Sequence, residues 1–309
     1  MSALGAVLSF TMVAQTLRMS VPYAAAATGG VLGERSGVVN ITLEGALLAG
    51  GFAAIACDLA TGSPAAGVLA AVCAGAVFSL SHAALVVHGR VDGIVSGIAM
   101  NLLAASGTRL LLRTLYGSSS NSPTAPGFHF LAVDARTGSG LLLHTLVDPP
   151  TPLVALAVIG VAWLLRATPF GLRIRAAGEA PRALASVGVD VARIRVLATT
   201  LGGAITGLGG AALALDQHQF QAQMSGGRGY IALAAVVLSG WNARRAALLC
   251  VAFAFLDALQ IVLQNETAVP VQLLTSLPYV ATLVALGVVL GRGRGSFAAP
   301  AGLGRQPDE

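Results

Sequence analysis

Apolar runs about as long as a bilayer is thick recur along this sequence, and nothing constrains its fold more. The chain is 55% hydrophobic and only 10% charged, whereas a water-soluble domain carries about 25% charged residues. Runs of about 20 residues rich in Ala, Leu, Val and Gly point to helices, since strands of a membrane barrel alternate over about ten. A helix also satisfies its backbone N–H and C=O groups within its own segment, which hydrocarbon demands. The reading is all-α: a polytopic membrane helical bundle with roughly 8–10 transmembrane or re-entrant helices. Candidate spans cover 3–16, 20–33, 38–60, 65–88, 93–115, 150–166, 193–215, 228–240, 245–264 and 271–290. Together they make one transmembrane domain over 1–290. The N-terminus has no basic region before its apolar run and reads as the first span rather than a removable signal.

Charge sets the expected orientation. The most basic stretch, 168–195, holds Arg173, Arg175, Arg182, Arg193 and Arg195, with Arg166 just before it. Arginines close to span ends stay in the cytoplasm. Alternating outward from there places Glu34–Arg35, His88–Arg90, Arg244–Arg245 and a tail with Arg292, Arg294 and Arg305 inside. Segments 61–64, 117–149, 216–227 and 265–270 fall outside. Arg18, Arg109, Arg113, Arg136 and Arg228 are exceptions. Both termini are expected to be cytoplasmic, and the Gly- and Pro-rich tail over 291–309 is expected to be disordered. Topology accounts for the arginines, so the net charge of +5 does not imply a nucleic-acid partner.

Within 168–195, Gly178 is expected to break the preceding structure. Pro181 suits the first turn of a helix that Gly188 closes, and Asp190 suits the N-cap of the next span. That short helix places Ala180, Leu184 and Val187 on one face. It is either a docking element or a solvated linker.

Polar residues at membrane depth are informative because a buried charge there costs about 2.5–3.5 kcal/mol. Asn40 and Glu44 lie four apart and share a helix face, with Thr42 between them. Asn101 lies in the fifth span. Asp257, Gln260 and Gln264 form a further polar face. These residues either line a pathway for a hydroxylated solute or fix packing by inter-helical hydrogen bonds. Gly202, Gly203, Gly207, Gly209 and Gly210 are read as a close-packing face. The three cysteines and five histidines are dispersed, so no metal site, cofactor or catalytic centre is expected. The stretches 36–51 and 226–241 share a Gly-bounded apolar character, as in transporters built from two related halves.

Four stretches carry a resemblance: GERSGVVNITLEGALLAG (33–50), FGLRIRAAGEAPRALASVGVDVARIRVLATTLGGAITGLGGA (170–211), GGRGYIALAAVVLSGWNA (226–243) and LDALQIVLQ with LPYVATLVALGVV (256–289). They resemble the inner-membrane permease subunits of bacterial ABC importers for branched-chain amino acids, ribose-type sugars and nucleosides. ERSGVVNITLEG and LPYVATL are most similar to the nucleoside and simple-sugar branch. One departure is Thr42, where the family more often has Gly.

The resemblance implies a multi-pass subunit of the bacterial inner membrane with no ATPase activity of its own. Its implied partners are two ATP-binding cassette subunits, a second and homologous permease subunit, and an extracytoplasmic solute-binding lipoprotein. It also implies that Gly178, Glu179, Pro181, Arg182, Ala183, Leu184, Val187, Gly188 and Asp190 form the segment coupled to the ATPase. Competing readings are a branched-chain amino acid permease of the same family and an ion-driven secondary transporter using Glu44 and Asp257. The polar set of Asn, Thr, Gln, Glu and Asp, without a mid-span Arg, leans towards a hydroxylated solute over an amino acid.

Overall fold

A computed structural model of the chain describes residues 10–128, 138–266, 270–291 and 299–305. These contain thirteen helices and one isolated β-bridge. In chain order they are α1 (Phe10–Arg35), α2 (Leu43–Thr61), α3 (Pro64–Val87), α4 (Gly93–Tyr116), α5 (Gly138–Val147), α6 (Pro150–Ala167) and α7 (Pro169–Glu179). There follow α8 (Pro181–Ser186), α9 (Val191–Asp216), α10 (Arg228–Leu238), α11 (Ala243–Glu266), α12 (Val271–Thr275) and α13 (Leu277–Gly291). Six helices, α2, α3, α4, α6, α9 and α11, are long and apolar enough to cross a membrane. The chain is an all-α membrane bundle.

Local chemistry sets the helix ends. Asp92 accepts hydrogen bonds from Ile94 N and Val95 N at 2.9 and 3.0 Å, and Asp190 from Arg193 N at 3.1 Å, each holding a first turn. Ser63 caps α3 with Pro64 at its first position.

α9 is the central post, packed against α1, α2 and α3. Its glycines allow contacts that side chains would block. A Cβ on Gly202 would stand 2.4 Å from Gly29 O of α1, one on Gly207 2.2 Å from Ala71 O of α3, and one on Gly210 2.2 Å from Leu47 O of α2. Three neighbours thus meet one helix at backbone distance. Small residues are favoured in membranes because lipid is as apolar as Leu, leaving close packing as the main source of association.

Two expectations are corrected here. The separate spans 3–16 and 20–33 are one continuous helix from Phe10, and residues 1–9 lie outside the described set. Arg18, at the expected break, pairs with Asp216 at the end of α9, so its charge does not force the chain out of the bundle. The tail also differs from a disordered segment over 299–305. Gly302 N donates to Gly178 O at 2.7 Å and Gly304 N to Gly37 O at 3.0 Å. Arg195 Nη1 donates to Arg305 O at 2.7 Å. The tail binds through its backbone, which composition does not register. Residues 292–298 and 306–309, with Arg292 and Arg294, lie outside the described residues.

Segments at each end of the bundle are tied together. At one end, Ser122 N donates to Phe220 O at 2.9 Å and Ala125 N to His218 O at 2.7 Å, while Gly127 N reaches Asp58 Oδ2 at 3.1 Å. At the other end sit Arg35, α7, α8, Trp241 and residues 299–305. The polar insert over 117–149 contains α5, which packs on α1; Arg136 lies outside the described residues.

Gly207→Ala should destabilise the protein by about 1–3 kcal/mol, the usual cost of overpacking. Gly160→Ala, where an added Cβ meets nothing within 4 Å, should be neutral or slightly stabilising. Thermal unfolding of the two detergent-solubilised variants checks this.

Candidate functional site

Two interrupted segments meet inside the bundle. After α1, residues 36–42 turn back along it, and Leu43 reaches Gly30, where an added Cβ would lie 3.0 Å from Leu43 Cδ1. Gly30 is five residues before Arg35, so α2 begins about 7 Å in from that end of α1. From the opposite end, residues 217–227 descend to the same level, and α10 completes the crossing. An added Cβ at Gly229 would stand 2.4 Å from Glu44 N, and α10's far end meets Arg35, whose Nε donates to Trp241 O at 2.9 Å.

Glu44 joins the two segments. Its Oε1 accepts from Ser225 Oγ at 2.5 Å and Gly227 N at 2.8 Å, and its Oε2 from Gly229 N at 2.8 Å. The carboxylate therefore satisfies orphan N–H groups at the start of α10, where the helix dipole favours negative charge. Asn101 joins α4 to the same point. Its Oδ1 accepts from Gly45 N at 2.9 Å, and its Nδ2 donates to Ile41 O at 2.9 Å and Tyr230 Oη at 3.2 Å. Asn40 and Thr42 are buried and bonded to each other, Thr42 Oγ1 donating to Asn40 Oδ1 at 2.6 Å. His82 fixes the same turn through Val39 O at 3.0 Å and Ser96 Oγ at 2.9 Å.

On the other side of the 224–229 loop lies a second polar group. Tyr23 Oη donates to Asp257 Oδ2 at 2.7 Å, and Arg228 Nη2 stands 4.0 Å from that oxygen. The Arg228 guanidinium lies 5.9 Å from the Tyr23 ring centroid. Tyr279 Oη donates to Gly226 O at 2.7 Å. Arg228, an exception to the charge pattern, thus has a counter-ion. Gln260 is half-buried one turn beyond Asp257 and does not line the cavity described next.

A cavity of about 380 Å³ opens between α2, α4 and the 223–230 segment, within the ~300–1,000 Å³ range of small-molecule sites. Glu44, Asn101, Gln223, Ser225 and Tyr230 supply its polar lining, and Ile98 and Leu102 its apolar lip. Among its described lining residues there is no cationic side chain. Glu44 and Asn101 face it but are consumed in internal bonds. Two residues that sequence reasoning missed keep capacity for a solute. Tyr230 accepts from Asn101, leaving its own O–H to donate, and the residue is 48% exposed. No hydrogen bond among the described residues engages the Gln223 amide, and its backbone is left-handed at φ 62°. The available signal was a Tyr within the Gly-rich start of a short apolar run.

The proposed coupling stretch is arranged differently from its sequence reading. Gly178 does not break α7; it lies within that helix, where an added Cβ would stand 2.2 Å from Arg35 O. Glu179 ends α7 and faces Arg35 at 3.6 Å. Pro181 opens α8, and Gly188, at φ 80°, follows its close. Ala180, Leu184 and Val187 do not form one exposed strip. Leu184 is 7% exposed and packs inward, whereas Val187 is 72% exposed. Arg182, Ala183 and Gly188 are exposed with Val187, and Asp190 caps α9.

Residues 12–290 match the family described as branched-chain amino acid transport system / permease component. The chain is 34% identical over 297 residues to a guanosine ABC transporter permease protein of Bacillus subtilis, covering 91% of this chain and 92% of that protein. It is 31% identical over 293 residues to a nucleoside ABC transporter permease protein of Lactococcus lactis, again covering 91% and 92%. Over a shorter stretch of 105 residues it is 37% identical to a ribose import permease protein of Bacillus subtilis, 33% of this chain and 31% of that one. No solved structure matches the chain.

Glu44→Ala should release the 223–229 loop, costing about 1–3 kcal/mol for the donors left bare. Hydrogen exchange at Gly227 and Gly229 should accelerate while amides in α9 keep their protection.

Proposed function

The chain belongs to the branched-chain amino acid transport system permease family, and we propose that it is the membrane subunit of an ATP-driven importer that carries a nucleoside into the cell. The observation that carries this reading is the cavity beside Glu44. Its free groups are a phenol O–H, a carboxamide and an exposed aromatic ring, a set suited to a neutral solute with hydroxyls and a planar face. A zwitterionic amino acid would need a free cation and a free anion. The lining residues include no cation, and the Glu44 carboxylate is already bonded on both oxygens. The names of the guanosine and nucleoside relatives support the same class.

In this reading Tyr230 and Gln223 touch the solute. Glu44 and Asn101 hold the loop that presents them, with Asn40 and Thr42 shaping the turn before α2. Asp257 neutralises Arg228 beneath that loop, and Gln260 has a packing role. The lip at Ile98 and Leu102 faces a second permease subunit that closes the pathway. ATP-binding subunits dock on α8 from the cytoplasm, and a solute-binding lipoprotein delivers solute at the opposite face.

Force then has a physical route. The exposed side of α8, with Arg182, Ala183 and Val187, takes the ATPase. α7 is locked to the end of α1 by Gly178 and by the Glu179–Arg35 pair, and the end of α1 leads through 36–42 to Glu44. Moving α8 therefore biases the loop that lines the cavity, a two-state element common to both sites.

Tyr230→Phe should raise the apparent KM for nucleoside uptake about three- to ten-fold, the worth of one neutral hydrogen bond, with membrane insertion unchanged. ATP-dependent uptake of glucose but not guanosine by the assembled transporter would sink the substrate assignment. Val187→Asp combined with Arg182→Glu should abolish ATPase association without unfolding the chain; wild-type uptake in that variant would remove α8 from the coupling route. Leu184→Asp tests this less cleanly, since Leu184 is buried within the subunit itself.

A further inference from the structure

At the Arg35 end of the bundle, apart from the cavity beside Glu44, is a small cationic cavity. It measures about 130 Å³ and is lined by Arg35, Arg166, Arg175, Leu165, Ala162 and Trp241, among others. Arg35 is committed elsewhere: its Nε and Nη2 donate to Trp241 O and Gly240 O at 2.9 and 3.1 Å, and its Nη1 faces Glu179 at 3.6 Å. Arg166 and Arg175 have no carboxylate partner among the described residues, and Arg175 Nε is buried without an acceptor. The nearby Glu34 carboxylate is turned away, accepting from Trp241 Nε1 at 2.5 Å. Two guanidiniums thus converge on a space with no anion of the protein's own.

The wall above this cavity is apolar and exposed. On α6, Leu156, Ile159, Trp163 and Arg166 are spaced by three, four and three residues and share one face. The first three are 64%, 59% and 61% exposed. A stripe for an acyl chain therefore runs down α6 and ends at the guanidiniums, with an indole at headgroup depth.

We propose that this cavity binds the phosphodiester headgroup of an anionic phospholipid, with Arg166 and Arg175 on the phosphate and an acyl chain along Leu156, Ile159 and Trp163. Basic pockets between helices at the cytoplasmic side of membrane proteins suit such headgroups. The stripe favours a lipid over free phosphate, which would gain nothing from it. Because Arg35 and Arg175 lie on α1 and α7, the bound lipid braces the junction between the α8 segment and the bundle. The assignment is independent of which solute is carried.

The chain has two tryptophans, Trp163 and Trp241, and both lie at this site, so fluorescence of the full chain in nanodiscs reads it directly. Brominated phosphatidylglycerol should quench through a saturable component roughly five- to thirty-fold stronger than brominated phosphatidylcholine, from about 1 kcal/mol per arginine. R166Q should lower that preference about five-fold, and R166Q/R175Q should abolish it with the helical circular dichroism unchanged. Equal quenching by both lipids, or a preference that survives in the double variant, overturns the proposal. Loss of the preference on adding excess inorganic phosphate would reassign the site to a free anion. Loss on adding the ATP-binding subunits would reassign it to a protein carboxylate. Either result removes the lipid.

Discussion

The approach of three helices to α9 at backbone distance is the contact on which the rest of the structure rests. In hydrocarbon there is no net gain from pressing one leucine face against another, so association depends on how closely backbones can come. Gly202, Gly207 and Gly210 each remove the atom that would keep α1, α3 or α2 away. The resulting frame is rigid where dispersion contacts are dense. It is therefore able to hold irregular chain beside it.

That irregular chain is where the polar chemistry collects. Residues 36–42 and 217–227 interrupt two crossings, and each interruption leaves backbone donors that lipid cannot satisfy. The protein satisfies them from within. Glu44 meets Gly227 N and Gly229 N, and Asn101 meets Gly45 N and Ile41 O. Each charge in this layer has a local answer: Arg228 has Asp257 and the Tyr23 ring, Arg18 has Asp216, and Glu44 has the start of α10. Because these residues are spent on one another, few polar groups lining the cavity stay free, and they lie on the loop that Glu44 holds and in the first turn of α10.

The Arg35 end is built on a different principle, cations on carbonyl oxygens. Arg195 is 2% exposed and donates to Ser36 O, Ala177 O and Arg305 O. It therefore fastens the turn after α1, the end of α7 and residues 299–305 to one guanidinium. Gly302 and Gly304 add backbone bonds to Gly178 and Gly37. The end of α7, which leads to α8, is thus bonded directly to the turn that follows α1.

Composition and periodicity determined a great deal. Apolar run length dictated a helical membrane bundle, clustered arginines marked one end of it, and Asp190, Pro181 and Gly188 marked their turns through local backbone chemistry that needs no partner. The depth of Glu44, Asn101 and Asp257 announced that each required one, but not which. Only tertiary structure decided that Glu44 holds a loop 181 residues away, that Arg18 is neutralised so that two expected spans become one helix, and that Leu184 turns inward while Val187 does not. It also decided that Tyr230 and Gln223 keep free polar groups. The division has a physical reason. Burial preference and turn geometry are properties of a residue and its near neighbours, whereas the choice of hydrogen-bond partner depends on which distant backbone the glycines of α9 allow to come close.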